Sequence, residues 1–238
     1  MLNGSTRIAP GQTLLIDADD TLWENNIYFE RAIAAFISYL DHREYTHEEV
    51  REKFNEVERE NTRAHGYGVL SFRRALVTCF ESLSIEPVTA EKHERIVSFA
   101  QSITDQEIEL LPGVQEILPQ LAERHHLILM TKGDPDEQSS KLLRSGLGEY
   151  FRAVEIPHEK TPEAYQSVCS RHSLSCTTTW MIGNSPRSDI NPALAAGLHA
   201  VYIHHPNTWV LEHDTIEAAP PGQRLLEIES FAHLDIHF

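Results

Sequence analysis

The sequence is poor in basic residues and contains no long apolar run. Its 20 lysines and arginines stand against 36 aspartates and glutamates, which gives a formal net charge of −16 over 238 residues. Nucleic acids and anionic membrane surfaces both bind basic faces, so this charge argues against either kind of partner. No segment approaches the roughly 20 apolar residues that a membrane-spanning helix needs.

Cysteines are also few. The three that occur, Cys79, Cys169 and Cys176, form no CxxC pair, which is typical of reduced thiols in a cytosol. The first residues lack the apolar stretch of a signal peptide. We therefore expect a cytoplasmic protein, and the 41% of hydrophobic residues is enough for a globular core.

Short apolar runs alternate with amphipathic stretches over most of the chain. Runs at 13–16, 127–130, 153–156, 179–182 and 200–203 have the length and aliphatic content of buried strands. Amphipathic stretches at 114–124, 135–145, 162–172 and 191–196 predict helices between them. This alternation indicates an α/β fold with a parallel sheet. The segment 205–223 is predicted to be an irregular part of the surface.

The region 24–110 has a different pattern. Four helical stripes of apolar residues follow one another there without a strand signal, and they include Phe36, Phe54, Phe72 and Ile96 in turn. The sequence therefore predicts an all-helical, four-helix domain at 24–110, inserted into an α/β domain made of 1–23 and 111–238.

Two carboxylates follow the first predicted strand, in Asp17-Ala18-Asp19. Alternate side chains of an extended chain share a face, so both can point the same way. Carboxylates that close repel each other unless a cation or a proton lies between them, and Mg²⁺ suits such oxygen ligands. An acidic turn that caps a helix is the alternative interpretation.

Polar residues also follow the next three predicted strands. Thr131-Lys132-Gly133 offers a hydroxyl and backbone N–H groups to an anionic oxygen. Lys160 follows the third strand, and a loop containing Asn184 and Asp189 follows the fourth. Because ligands of open parallel sheets bind beyond the carboxyl ends of the strands, these residues predict a single site.

The motifs DADDT, Thr131, Lys160 and GNSPRSD, in this order, resemble the four motifs of the haloacid dehalogenase-like hydrolases. The resemblance implies a Rossmann-like core and identifies 24–110 as a helical cap domain of the C1 type. It points to the subgroup of small-metabolite phosphatases, phosphomutases and 2-haloacid dehalogenases.

The same resemblance implies a role for each motif residue. Asp17 would be the nucleophile and Asp19 the general acid/base. Mg²⁺ would be held by the carboxylates of Asp17 and Asp189 and by the backbone carbonyl of Asp19. Thr131 would hydrogen-bond the phosphoryl oxygens, and Lys160 would offset the charge on the nucleophile and phosphate.

Two positions depart from the family pattern. Asn184 stands where many members have aspartate, and we expect its amide oxygen near the ion rather than bound to it. Lys132 replaces the more usual asparagine, and we expect its backbone N–H to donate to the substrate phosphate. Trp23, just after the first motif, is expected to pack against the cap hinge, and a place in the lining of the pocket is the alternative.

The loop between the second and third helices is a candidate for reading the substrate. It carries His65 and Tyr67 between closely spaced glycines, and Arg73 flanks it on the next helix. Similar loops in the family touch the leaving group of the substrate. A solvent-exposed connection is the alternative.

These observations predict a Mg²⁺-dependent phosphatase that acts on a small phosphorylated metabolite. A phosphomutase, a 2-haloacid dehalogenase and a catalytically idle binding module remain as alternatives. Asp19 argues against the dehalogenase, whose reaction needs no acid two residues after the nucleophile. The histidine pairs at 125–126 and 204–205 are adjacent, and neighbours in a strand face opposite ways, so no dedicated histidine metal site is predicted.

Overall fold

The computed structural model describes residues 7–84 and 87–238. The chain forms two compact units: an α/β unit that runs to Glu24 and resumes over Ile108–Phe238, and a helical unit, Asn25–Glu107. In chain order the elements are β1 (Thr13–Ile16), α1 (Asn26–Leu40), α2 (His47–His65), α3 (Val69–Leu83), α4 (Ala90–Thr104), α5 (Val114–Arg124), β2 (His126–Met130), α6 (Pro135–Ser145), β3 (Ala153–Glu155), α7 (Pro162–Arg171), β4 (Thr179–Gly183), α8 (Asn191–Ala195), β5 (His199–Ile203), β6 (Leu225–Ile228) and α9 (Leu234–His237).

The α/β unit contains a six-stranded sheet in the order β3-β2-β1-β4-β5-β6. Every neighbouring pair is parallel, so the prediction of a Rossmann-like parallel sheet is confirmed. The edge strand β6 is missing from the prediction. Two of its four residues are half-buried, and the exposed Glu227 interrupts the continuous apolar run that marks an inner strand.

The register of the sheet brings three strand ends side by side. Ile16 of β1 lies opposite Leu129 of β2 and Ile182 of β4. The strand order also reverses at β1, because β2 and β3 lie on one side of it and β4 to β6 on the other. Such a reversal opens a crevice at the carboxyl ends of the strands, which is where ligands bind.

Both faces of the sheet are buried. Ile16 packs in one apolar cluster with Leu118 and Trp180. The adjacent Leu15 faces the other side and packs with Tyr165. Packing on both faces fixes the orientation of each strand. It therefore also fixes where the residues after the strand begin.

The helical unit has an apolar core of its own, in which Phe36, Phe54 and Phe72 are buried. Thr46 begins α2 with a capping box: its side chain accepts from the backbone N–H of Glu49, and the Glu49 carboxylate accepts from that of Thr46. Thr89 begins α4 by accepting from the backbone N–H of Lys92. Of the helices formed by residues 7–84 and 87–238, none is long and apolar enough to span a bilayer.

The segment 205–223 is irregular, as predicted, apart from a 3-10 turn at Val210–Glu212. The predicted surface position is wrong for His205 and Thr208, which are buried. The reason is that this segment packs over the loops that follow β1 and β4. One example is the hydrogen bond from Asn184 Nδ2 to Thr208 Oγ1 at 2.9 Å.

Candidate active site

A buried ammonium group joins the ends of two strands. Lys160 Nζ donates to Asp17 Oδ1 at 2.5 Å and to Asp189 Oδ1 at 2.7 Å. Asp17 directly follows β1, and its backbone N–H donates to Ile182 O of β4 at 2.9 Å. All three charged side chains are buried, and such burial is tolerated only when the charges are paired.

The triad of Asp17, Lys160 and Asp189 has two acidic side chains and one basic side chain. Burial, with the negative charge of Asp189 added to it, raises the pKa of Asp17 to about 7, although the Lys160 ammonium acts to lower it. Burial acts to lower the pKa of Lys160, but the charges of Asp17 and Asp189 outweigh burial and raise it. One lysine therefore remains cationic but does not fully offset two buried carboxylates.

A single π-helical turn at Pro186–Ile190 sets the position of Asp189. Ser185 begins this turn, and its backbone N–H donates to Asp189 Oδ2 at 2.9 Å. Tyr165 fixes the turn from α7, because its hydroxyl donates to Ser188 O at 2.9 Å. Gly183 leaves room for the carboxylate, since a Cβ at that position would overlap the Asp189 side chain.

The second oxygen of Asp17 belongs to a polar network. Thr21 Oγ1 lies 3.1 Å from Asp17 Oδ2 and 3.3 Å from Asn184 Oδ1. Asn184 is held from its other side by Thr208, as described above. The Thr21 side chain therefore lies between Asn184 and the Asp17 carboxylate, and the amide oxygen of Asn184 points toward Thr21.

Asp19 lies in a different environment from Asp17. Its carboxylate accepts from Trp23 Nε1 at 2.7 Å, from Gln138 Nε2 at 2.9 Å and from Lys141 Nζ at 2.9 and 3.0 Å. Burial acts to raise the pKa of Asp19, but the Lys141 charge and these hydrogen bonds outweigh it and lower the pKa. The pKa of Asp17 is therefore raised and the pKa of Asp19 is lowered, although both carboxylates belong to the first motif.

Sequence reasoning missed Gln138 and Lys141. They are three residues apart on α6, so they share one face of that helix. This spacing is the only signal in the sequence, and it does not show that the face turns toward Asp19. Trp23, expected at the hinge, is fully buried in the apolar core of the α/β unit and orients Asp19 through its indole N–H.

Thr131 follows β2 and is buried at the same sheet edge. The adjacent Lys132 directs its ammonium to a buried network: Nζ lies 2.7 Å from Glu212 Oε1 and 2.9 Å from Ser188 Oγ. Burial acts to raise the pKa of Glu212, but the Lys132 charge and its hydrogen bonds lower it. Lys132 thus connects the second motif to the segment around Glu212, and its role toward a substrate stays a prediction.

The candidate substrate-reading residues lie in the helical unit. His65 is the exposed last residue of α2, and Tyr67 is half-buried between Gly66 and Gly68. Both glycines have positive φ, +80° and +103°, which favours glycine in this loop. Arg73 is exposed on α3 and lines a groove between α3 and α4. A role for these residues at the substrate stays a prediction.

Comparison with known proteins identifies related hydrolases. The sequence matches the haloacid dehalogenase-like hydrolase family over residues 12–197. A haloacid dehalogenase-like family hydrolase from Xanthomonas campestris superposes with a TM-score of 0.80 at 30% identity, over 97% of this chain and 94% of that one. A hydrolase of this family from Bacillus subtilis, whose structure is bound to magnesium, gives a TM-score of 0.62 at 20% identity, over 94% of this chain and 97% of that one.

A curated relative matches over a shorter stretch. Phosphoserine phosphatase from Thermus thermophilus is 29% identical over 100 residues, which are 40% of this chain and 40% of the relative. The match therefore spans less than half the length of that phosphatase.

Proposed function

Because the chain belongs to the haloacid dehalogenase-like hydrolases, we propose that it is a Mg²⁺-dependent phosphatase. It hydrolyses a small phosphorylated metabolite through an aspartyl-phosphate intermediate. The observation that carries this proposal is the Lys160 ammonium, which joins Asp17 and Asp189 across the ends of two strands. The partial match to a phosphoserine phosphatase agrees with the proposed class of substrate.

The residues at these strand ends fit a Mg²⁺ ion. Magnesium prefers oxygen ligands, and Asp17 and Asp189 supply carboxylates while Asp19 offers its backbone carbonyl. Burial and the neighbouring Asp189 raise the pKa of Asp17 although Lys160 acts to lower it, so a second cation beside these carboxylates fits the charge of the site. The related hydrolase from Bacillus subtilis is bound to magnesium. Bound Mg²⁺ would offset the negative charge of the phosphoryl oxygens.

Asp17 acts as the nucleophile on this proposal. One carboxylate oxygen attacks phosphorus as the bond from phosphorus to the leaving oxygen breaks, which divides one difficult step into two. Lys160 holds the carboxylate in place and offsets charge on the transferring group. Thr131 donates a hydrogen bond to a phosphoryl oxygen.

Asp19 acts as the general acid and the general base on this proposal. It gives a proton to the departing alkoxide and later takes one from the water that attacks the aspartyl-phosphate. The contacts with Lys141, Gln138 and Trp23 favour the ionised form, which suits the second step. For the first step Asp19 must be protonated, and the negative charge of a bound phosphate beside it raises its pKa in that direction.

The support given to Asp19 also favours a phosphatase over a 2-haloacid dehalogenase. A dehalogenase needs the nucleophile but no acid two residues later. Three side chains nevertheless orient Asp19 from two separate elements of the α/β unit. An idle binding module would not require this arrangement.

We test the reaction with a panel of phosphorylated metabolites and Mg²⁺, by measuring phosphate release. Asp17→Asn should lower the rate by about 10³-fold or more, because an amide cannot form the phosphoenzyme. The exposed Asp136 provides a matched control, and Asp136→Asn should leave the rate unchanged. Substantial activity of Asp17→Asn would refute the mechanism. Transfer of phosphate to a second substrate position without release would indicate a phosphomutase.

The helical unit supplies the residues that determine specificity on this proposal. His65→Ala, Tyr67→Ala and Arg73→Ala should each lower kcat/KM for the best substrate by about 5- to 150-fold, the equivalent of one lost contact of about 1–3 kcal/mol. A generic aryl phosphate should be affected far less. Equal losses for both substrates, or none, would exclude this loop as the specificity element.

A further inference from the structure

A cluster of potential metal ligands lies beside the triad of Asp17, Lys160 and Asp189 but shares no side chain with it. Asp20, Glu24 and His205 each offer one ligand atom, and these atoms lie within 4.8 Å of one another. His205 Nδ1 is 3.9 Å from Asp20 Oδ1, and its Nε2 is 3.4 Å from Glu24 Oε2. In the part of the chain that the structure describes, this is the one group of three such residues.

One atom of the cluster is buried without a hydrogen-bond partner, and a second is buried beside the imidazole. The residue His205 is only 8% exposed, and its Nδ1 has no partner among the described residues. Glu24 Oε2 is buried as well, and its neighbour is His205 Nε2 at 3.4 Å. Because burying a polar atom without a partner is unfavourable, these atoms indicate a ligand between the three side chains.

A backbone turn carries the two carboxylates. Asp20 and Glu24 belong to the turn after β1, in which the Asp20 backbone N–H donates to Trp23 O at 2.8 Å. His205 follows β5, two strands away in the sheet. The three ligands therefore come from two separate segments of the α/β unit, and a bound ion would join those segments.

The chemistry of the ligands identifies the kind of ion. An imidazole nitrogen with two carboxylate oxygens suits zinc and similar first-row transition metals. Magnesium is bound mostly through oxygen and keeps several of its waters. The cluster therefore differs in preference from the oxygen ligands around Asp17.

We propose that Asp20, Glu24 and His205 bind a divalent transition-metal ion, with Zn²⁺ as the best match, at a site separate from the proposed magnesium site. The ion is held by one nitrogen and two carboxylate ligands, and water fills the fourth position of a tetrahedral zinc. It links the turn after β1 to the loop after β5. That loop also carries Thr208, the hydrogen-bond partner of Asn184.

The test is zinc binding by the full-length protein in excess Mg²⁺, which occupies the oxygen site. The protein is stripped with a chelator, loaded with Zn²⁺ and passed over a desalting column. Bound zinc is then measured by elemental analysis, and the affinity by competition with a chromophoric chelator. The wild type should retain a single tightly bound equivalent.

Variants locate the ion. Loss of a residue that only orients a metal ligand typically weakens binding by about 10- to 100-fold, so His205→Gln and Glu24→Gln should each weaken zinc by at least about 100-fold. The adjacent and exposed His204 is the matched control, and His204→Gln should bind zinc like the wild type. Glu24→Gln keeps the shape of the side chain, so it tests the site even if His205→Gln fails to fold.

Three results would overturn the proposal. The first is a wild type that retains no zinc in excess Mg²⁺, and the second is unchanged affinity in both His205→Gln and Glu24→Gln. The third is loss of zinc in Asp17→Asn but not in His205→Gln, which would place the ion at the oxygen site. Because the readout is bound metal, these results do not depend on whether the protein is a phosphatase.

Discussion

Replacing Gly183 with alanine puts a methyl group where the side chain of Asp189 lies. An ideal Cβ at Gly183 would be 2.9 Å from Asp189 Cβ and closer still to its carboxylate. Carbon atoms in good contact are about 3.5–4.0 Å apart, so we expect the carboxylate to move by about 1 Å. Gly183 does not have a positive φ, and alanine therefore brings no backbone strain.

The displaced carboxylate should affect activity more than folding. Asp189 would lose its position against Lys160 and the backbone N–H of Ser185. A shift of about 1 Å near the reacting groups can lower a rate by about 10²-fold, or about 2.7 kcal/mol of activation free energy. Overpacking of a buried position costs about 1–3 kcal/mol in the free energy of unfolding.

The assay compares kcat/KM for the best substrate, the Mg²⁺ titration of activity and urea unfolding. A matched control is Gly148→Ala, whose Cβ would meet no atom closer than Leu142 Cγ at 3.9 Å. We expect Gly148→Ala to resemble the wild type, and Gly183→Ala to lose activity and to need more Mg²⁺. If Gly183→Ala keeps the activity and the Mg²⁺ dependence of the wild type, the position of Asp189 is not critical and its role as a ligand is wrong.

Three further predictions concern single side chains. Lys141→Met should lower kcat by about 10-fold or more with little change in KM, because Asp19 loses the cation that orients it; equal changes in kcat and KM would contradict this role. Asn184→Asp should tighten Mg²⁺ activation, since it adds a negative charge near the ion, and an unchanged titration would place residue 184 outside its influence. For pH, burial acts to raise the pKa of Glu155, but hydrogen bonds from His172 and Arg171 lower it. Its contribution to the free energy of unfolding is therefore present above about pH 4.3 and is lost as the pH falls through the lowered pKa. Urea unfolding is measured at about pH 6 and about pH 3. Between these two pH values the free energy of unfolding should fall less for Glu155→Gln than for the wild type, and an equal fall would refute this role of Glu155.

Continuous apolar runs explain why the inner strands were predictable from sequence. β1, β2 and β4 are almost wholly buried, so most of their residues are apolar. Because the carboxyl ends of parallel strands meet at one sheet edge, the convergence of Asp17, Lys160 and Asp189 could be predicted as well, although Lys160 follows the less buried strand β3. Their catalytic roles stay predictions.

The residues that contact the motif residues of this site could not be predicted from the sequence, and the reason is physical. Lys141 and Glu212 reach their partners only because α6 and the segment after β5 pack at particular angles on the sheet. Nothing in the local pattern of charges fixes those angles. The same holds for His205, which lies 185 positions from Asp20 and meets it only in the folded sheet.

The position of β1 in the middle of the sheet has a consequence for how the chain folds during synthesis. The ribosome makes β1 first, yet its partners β2 and β4 begin only at His126 and Thr179. Pairing over such separations is slow, because the entropy of closing the loop opposes it. The helical unit has its own core and can fold meanwhile. Its ends meet where the Glu24 backbone N–H donates to Glu109 O at 2.9 Å. Early folding of this insertion would thus shorten the effective loop and bring β1 close to the arriving β2. Asp17 pairs with Lys160 only after residue 160 has left the ribosome.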